Sequence, residues 1–395
     1  MLRRNAPAAA KSAHNIASLR TIMAFGLASA LLFASNAFAA QAHRENFGQL
    51  NGVSVGAVVL TNAQGIRARI IAYGAALQEL DVPGRDGKLA DVVLSYPDMN
   101  GFIQKPQYFG ATIGRYGNRI GGATFDLDGH SYKLSANDGV NTLHGGQRGF
   151  DKVLWTISSV QSGPQASVTF THASPDGDQG YPGTLQANVT YALDDHNALT
   201  IRYEATTDKP TIVNLTNHSL FNMAGAESGR DVLGQRLTIA ARAYTPVDKG
   251  LIPTGALRPV AGSPFDFREP HLIGERIRDG SEPQLVIGHG YDHNFVIDGG
   301  VTADPKFQAR LEDPVSGRTM EILSTEPGLQ VYSGNFLDGT VVGKKNQIYR
   351  QGDGIALEPQ HYPDSPHHSN FPSTRLDPGK VYRSVSIYRF SVSGH

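Results

Sequence analysis

Beyond its first forty residues, this 395-residue sequence predicts an all-β fold, a single large antiparallel β-sandwich. Three observations carry that expectation. Apolar residues recur with period two, turn-forming Asn-Gly and Asp-Gly pairs punctuate the chain, and 44 Gly and 22 Pro accompany no convincing amphipathic helix.

In chain order, the first segment stands apart from the fold. Arg3, Arg4, Lys11 and Arg20 precede an apolar run at 22–33, and Ala37-Phe38-Ala39 supplies the small-x-small pattern of a signal peptidase site. The run of about twelve residues is short of the roughly 18 that a spanning helix needs. The expectation is a secretory signal over 1–39, cleavage near Ala39-Ala40, and one domain over 40–395. Arg3-Arg4 lies too far from the apolar run for a twin-arginine signal. Export would place the protein in the periplasm of a Gram-negative cell, or outside it.

Strand patterns then begin. Val53, Val55, Ala57 and Val59, followed by Ile66, Ala68 and Ile70, alternate with other residues as half-buried strands do. Asn51-Gly52, Asn100-Gly101 and Asp-Gly pairs starting at 86, 128, 138, 176, 279, 298, 338 and 353 provide the positive φ that tight hairpins require. No linker or low-complexity tract divides the chain, and all-β domains can exceed 200 residues without splitting.

Composition narrows the function. Thirty-five basic and 36 acidic residues leave a formal net charge of -1, so no global field favours nucleic acid or an anionic membrane, and a neutral small-molecule partner fits better. With no cysteine, thiol catalysis, cysteine-based metal sites and disulfides are all excluded. A chain of this length can bury enough surface without staples.

Five polar clusters interrupt the apolar runs: GRYGNRI at 114–120, NTLHGG at 141–146, NLTNHS at 214–219, GYDHNF at 290–295, and ALEPQHYPDSPHHSN at 356–370. In the second, two glycines after His144 let the backbone approach another group closely. In the third, His218 is flanked by Ile212-Val213 and Leu220-Phe221, where a neutral structural histidine and an acid-base histidine are both open readings. In the last, Glu358, His361, Asp364, His367 and His368 have metal-ligand chemistry, but their spacing would converge only on a helix. Pro359, Pro363 and Pro366 forbid a regular one. Gly288 and Gly290 weaken a helical His289–His293 pair in the same way. Ile355-Ala-Leu357 reads as a strand end and Pro359 biases Glu358 towards extended backbone, so a catalytic loop and a surface turn both remain open.

As an ordered set, these clusters resemble the aldose 1-epimerase family, the galactose mutarotases, from about Phe47 to Phe390. GFDKVLW at 149–155, SPDGDQGYPG at 174–183, YTPVDKGLIPTG at 244–255 and TEPGLQVYSGN at 325–335 follow in the order that family shows. The resemblance implies a β-supersandwich that interconverts α and β anomers of free aldohexoses such as glucose and galactose, with no cofactor and no metal. It implies Glu358 as general base and His218 as general acid, with Asn118, Arg119, His144, Ser219, Leu220, Asp292 and Gln330 in the sugar-binding positions. The chemistry suits these types: a carboxylate removes the C1 hydroxyl proton while a protonated imidazole supplies one to the ring oxygen. Where the family commonly has tyrosine, this sequence has Leu220, which puts one stacking or hydroxyl contact in doubt. Glu326, also before a proline, reads as supporting structure. A two-carboxylate glycoside hydrolase using Glu358 and Asp292, and a sugar-binding module without catalysis, are the alternatives. The oligomeric state is not legible.

Overall fold

A computed structural model describes residues 40–394. The expected signal segment, 1–39, lies outside the described residues.

Nearly all regular structure is antiparallel β. A five-stranded meander runs in chain order through Gln41–Leu50, Val53–Thr61, Arg67–Ile71, Ala76–Pro83 and Leu89–Asp91. A nine-stranded sheet has the spatial order Thr156–Gln161, Gln165–Ser174, Leu185–Asp194, Ala198–Thr207, Tyr382–Val392, Arg318–Ser324, Lys306–Glu312, Arg236–Ile239, His271–Leu272. The C-terminal strand therefore lies in its middle. A six-stranded sheet follows the order Leu220–Phe221, Ile355–Gln360, Gly328–Tyr332, Asp292–Ile297, Ala241–Tyr244, Arg258–Pro259, and it carries two of the five polar clusters, 290–295 and 356–370.

The turn chemistry works as the residues predict. Asn51 (φ 50°) and Gly52 (φ 81°) close the first hairpin, and Asp128 (φ 53°) and Gly129 (φ 78°) join Thr124–Leu127 to His130–Lys133. Two positive φ values in succession match the twist of the flanking strands. Asn100-Gly101 departs from the expected turn by falling inside a six-residue helix, Met99–Gln104. Asp98 caps it by accepting from the Gly101 amide at 3.1 Å, Met99 and Phe102 are buried, and a Cβ on Gly101 would stand 2.4 Å from the Tyr96 ring. Glycine serves close packing there. The strand Val53–Thr61 also departs from simple alternation. Val53 is exposed, while Ala57, Val58, Val59 and Leu60 are all buried, so this strand is covered on both faces.

One apolar cluster runs from Ala40 to Phe390 and draws on all three large sheets. Phe221 of the six-stranded sheet meets Tyr388 of the nine-stranded sheet with ring centroids 5.5 Å apart. That packing fixes the back of the sheet whose other face bears the polar residues.

Candidate active site

Cross-strand register assembles the site. Leu220, Ala356, Tyr332 and Asp292 are successive partners across four strands, and Glu358, Gln330 and Asn294 form the neighbouring row across three. Directly opposed residues share a face, as do residues two apart on one strand, so both rows point the same way. Leu329, Val331, Ile355 and Leu357, at the intervening positions, enter the apolar core. Ala356, the smallest side chain of the first row, leaves room above the sheet.

The result is a cleft lined by Asn118, Arg119, His144, His218, Leu220, Asp292, Gln330 and Glu358, together with Tyr108, Tyr332 and Phe336. It brings together every sequence-predicted site residue except Ser219. The Ser219 hydroxyl and amide instead bond Asn217 Oδ1, at 2.5 and 3.1 Å. Asn217 also donates to the Gly110 carbonyl and Tyr191 hydroxyl, so Ser219 belongs to the brace behind His218. His218 itself is held by its backbone: its amide donates to the Ala111 carbonyl at 2.9 Å and its carbonyl accepts from the Gly110 amide at 3.0 Å.

At the floor, Glu358 Oε1 lies 3.9 Å from His218 Nε2. Both residues are buried, and among the described residues neither Glu358 Oε2 nor His218 Nδ1 has a hydrogen-bond partner. Burial raises the Glu358 carboxyl well above the usual carboxylate range, helped by the nearby Asp292 charge, and burial pushes His218 down to about 4. Both shifts favour the carboxylic acid–imidazole form of the pair over the ion pair. This is the reverse of the carboxylate–imidazolium distribution expected from sequence, although the proton count is the same.

His144 has a fixed tautomer. Its Nδ1 accepts from the Asn118 amide at 3.2 Å, and burial, followed by the charges of His218, Arg119 and Lys152, holds it neutral, so Nε2 carries the hydrogen. The two glycines that follow make this possible: a Cβ on Gly145 would lie 1.9 Å from the Gly114 carbonyl oxygen. Arg119 Nε donates to Asp138 at 2.7 Å, and Gln330 Nε2 donates to Asp292 Oδ1 at 2.7 Å. Burial raises the Asp292 carboxyl, with Arg119 opposing that shift.

The remaining histidines and carboxylates of 356–370 are consumed in packing. His361 Nδ1 pairs with Glu326 at 2.6 Å, which gives Glu326 the supporting role expected of it. Asp364 accepts from the Gly121 amide at 2.8 Å and engages His367 at 2.6 Å and His368 at 3.4 Å. The prolines leave only a single 3-10 turn, Ser365–His367. His293 spends Nδ1 on the Asp292 amide and Nε2 on Gln284. Among the described residues, no group of three or more His, Asp or Glu is disposed to hold a metal ion.

Sequence reasoning missed the aromatic walls. Tyr332 stacks on Phe336 (6.1 Å, 18°), and Tyr108 packs against His144 at 4.6 Å and His218 at 5.6 Å. Tyr332 was findable, because it stands two residues from Gln330 on the same strand face. Tyr108 lies in an irregular loop and had no periodic signal.

Comparison with known proteins agrees with this geometry. The sequence profile of the aldose 1-epimerase family matches residues 56–389. The chain belongs to the aldose 1-epimerase family. Galactose mutarotase of Rattus norvegicus is 44% identical over 324 residues, 82% of this chain and 91% of the relative. Aldose 1-epimerase of Escherichia coli is 39% identical over 335 residues, 84% and 94% of the two chains. Among solved structures, an aldose epimerase homologue from C. elegans superposes with a TM-score of 0.78 at 32% identity, covering 86% of this chain and all of that one. Galactose 1-epimerase from Lactobacillus acidophilus also gives 0.78, at 28% identity, over 90% of this chain and 99% of that one. In this member of the family, Tyr108, Tyr332 and Phe336 supply aromatic surface to a cleft in which Leu220 has none.

Proposed function

We propose that this chain is an aldose 1-epimerase, interconverting the α and β anomers of free hexoses such as glucose and galactose by acid-base ring opening and closure. The observation that carries the reading is the buried Glu358–His218 pair, 3.9 Å apart at the floor of a cleft lined by Asn118, Arg119, His144, Asp292 and Gln330.

Glu358 takes the proton of the C1 hydroxyl while His218 gives one to the ring oxygen. The C1–ring oxygen bond breaks and an aldehyde forms. Rotation about C1–C2 turns the other carbonyl face to the hydroxyl, which attacks as it returns its proton to His218, and Glu358 reprotonates O1. Ring opening thus carries the pair from carboxylate–imidazolium to carboxylic acid–imidazole. Burial favours the second form, which accompanies the open-chain aldehyde. Each proton transfer contributes about 10² to 10⁴-fold. In this scheme the Nε2–H of His144 and the Arg119 guanidinium, both lining the cleft, orient the ring and stabilise charge developing on its oxygen.

Polarimetry of freshly dissolved α-glucose and α-galactose tests this. The expected result is relaxation to the anomeric equilibrium well above the spontaneous rate, with no monosaccharide released from aryl glycosides. Binding without acceleration would indicate a sugar-binding module, and glycoside cleavage would indicate a hydrolase. We also propose export with removal of 1–39, supported by the basic, apolar and Ala-x-Ala order of that segment. N-terminal sequencing of protein recovered outside the cytoplasm, beginning near Ala40, would support it. An intact Met1 would refute it.

A further inference from the structure

Tyr108 lines the cleft without a part in the acid-base scheme. Its ring packs against both site histidines, with centroids 4.6 Å from His144 and 5.6 Å from His218, and Lys152 Nζ stands 4.7 Å from the ring centroid. Lys152 is itself anchored on Asp151 at 2.6 Å. The backbone is equally constrained. Tyr108 has φ 60°, a conformation that bulky residues avoid, and the Ala111 amide donates to its carbonyl at 3.0 Å while Ala111 accepts from the His218 amide. Asn118 (φ 65°) and His144 (φ 52°) share this left-handed backbone in the same cleft. Such outliers persist only where surrounding contacts over-determine them, and they concentrate at functional sites.

The phenol is the informative atom. The Tyr332 hydroxyl already has a protein partner, accepting from the Phe336 amide at 2.9 Å. Among the described residues the Tyr108 hydroxyl has no hydrogen-bond partner, and it is not enclosed, because the ring is only partly buried and lines the cleft. Its charged neighbours are Asp151, Asp138 and Arg119, which place it at the wall where Arg119 is held by Asp138.

We propose that Tyr108 is a specificity-determining residue that hydrogen-bonds one sugar hydroxyl through its phenol. This rests on the mutarotase reading for its substrate. A hydroxyl of an aldohexose is both donor and acceptor, as a phenol is, so a rigidly placed tyrosine discriminates sugars that present that hydroxyl from those that lack it. Lys152 and the strained backbone serve to fix the ring, not to touch the sugar.

Anomeric exchange measured by NMR at equilibrium on glucose, galactose and their 2-, 3-, 4- and 6-deoxy analogues tests it, comparing wild type with Tyr108→Phe. The expected result is a two- to tenfold loss of kcat/KM in Tyr108→Phe on the parent sugars, a loss that disappears on one deoxy analogue and thereby names the hydroxyl. Equal rates on every sugar, or a uniform loss on all of them, would overturn the proposal while leaving wild-type mutarotation intact. Should wild type fail to accelerate exchange, the functional reading fails separately, and calorimetric binding of the same sugars decides about Tyr108. A higher Kd for the parent sugar alone supports the contact, and an unchanged Kd overturns it.

Discussion

The pH dependence of kcat/KM follows from the burial of the Glu358–His218 pair. The working form holds one proton between the two groups, so activity falls on the acid side when a second proton arrives on His218 and on the alkaline side when the only proton leaves. Burial puts the acid event at about 4. At that value about a tenth of the enzyme is doubly protonated at pH 5, about half at pH 4 and about nine-tenths at pH 3, so kcat/KM should fall about tenfold from plateau to pH 3. The alkaline limb belongs to Glu358, whose raised carboxyl extends the plateau above the ordinary carboxylate range. His144, Asp292, Arg119, Tyr108 and Tyr332 face the same cleft, and His144 is held neutral by burial. Anomeric exchange by NMR, corrected for the spontaneous rate at each pH and paired with circular dichroism to confirm folding, measures the profile. An acid midpoint near the ordinary imidazole value of about 6.5 would refute the burial argument, since the enzyme would then lose about 300-fold by pH 4.

Three further outcomes follow from the same contacts. His218 is neutral in the fold and protonated in the unfolded chain between its two pKa values, so its contribution to stability is intact above about pH 6.5 and lost as pH falls to about 4. His218→Asn should therefore flatten the acid dependence of urea-unfolding free energy by about 3 kcal/mol over that window, at about 1.4 kcal/mol per pH unit; an unchanged slope would contradict this. Glu326→Gln removes the anion paired with His361 at 2.6 Å and should destabilise by about 1–3 kcal/mol in the same unfolding experiment, with less than about a tenfold effect on rate because neither residue lines the cleft. Gln330→Leu leaves Asp292 Oδ1 without its donor and should raise KM about tenfold in steady-state exchange kinetics, with a smaller change in kcat.

The fold class was legible because hairpin chemistry is local. Asn51-Gly52 and Asp128-Gly129 contain all the information their turns need. Asn100-Gly101 misled because tertiary packing against Tyr96, invisible in the dipeptide, requires glycine for lack of a Cβ. Glu358, His218 and His144 were legible as residue types in polar clusters and as positions of a family resemblance. Their juxtaposition was not, because it depends on a register joining strands far apart in the chain. Ser219 was expected in a sugar-binding position beside His218, yet its hydroxyl turns to Asn217 and away from the cleft. The protonation state of the floor was also beyond the sequence, since it is set by how completely two separate elements exclude water. Tyr108 marks the limit most clearly: its place comes from a left-handed loop that no periodicity announces.

The most direct test of the acid-base pair is Glu358→Gln. Glutamine keeps the shape of the protonated side chain that the buried floor already favours, so folding and sugar affinity should be preserved. Only proton transfer at O1 is removed. Polarimetry on α-galactose, with calorimetric sugar binding on the same preparation, should show kcat reduced about 10² to 10⁴-fold, about 3–5 kcal/mol of barrier, at nearly unchanged affinity. Relaxation by Glu358→Gln within a few-fold of wild type would contradict the assignment of Glu358 as the base.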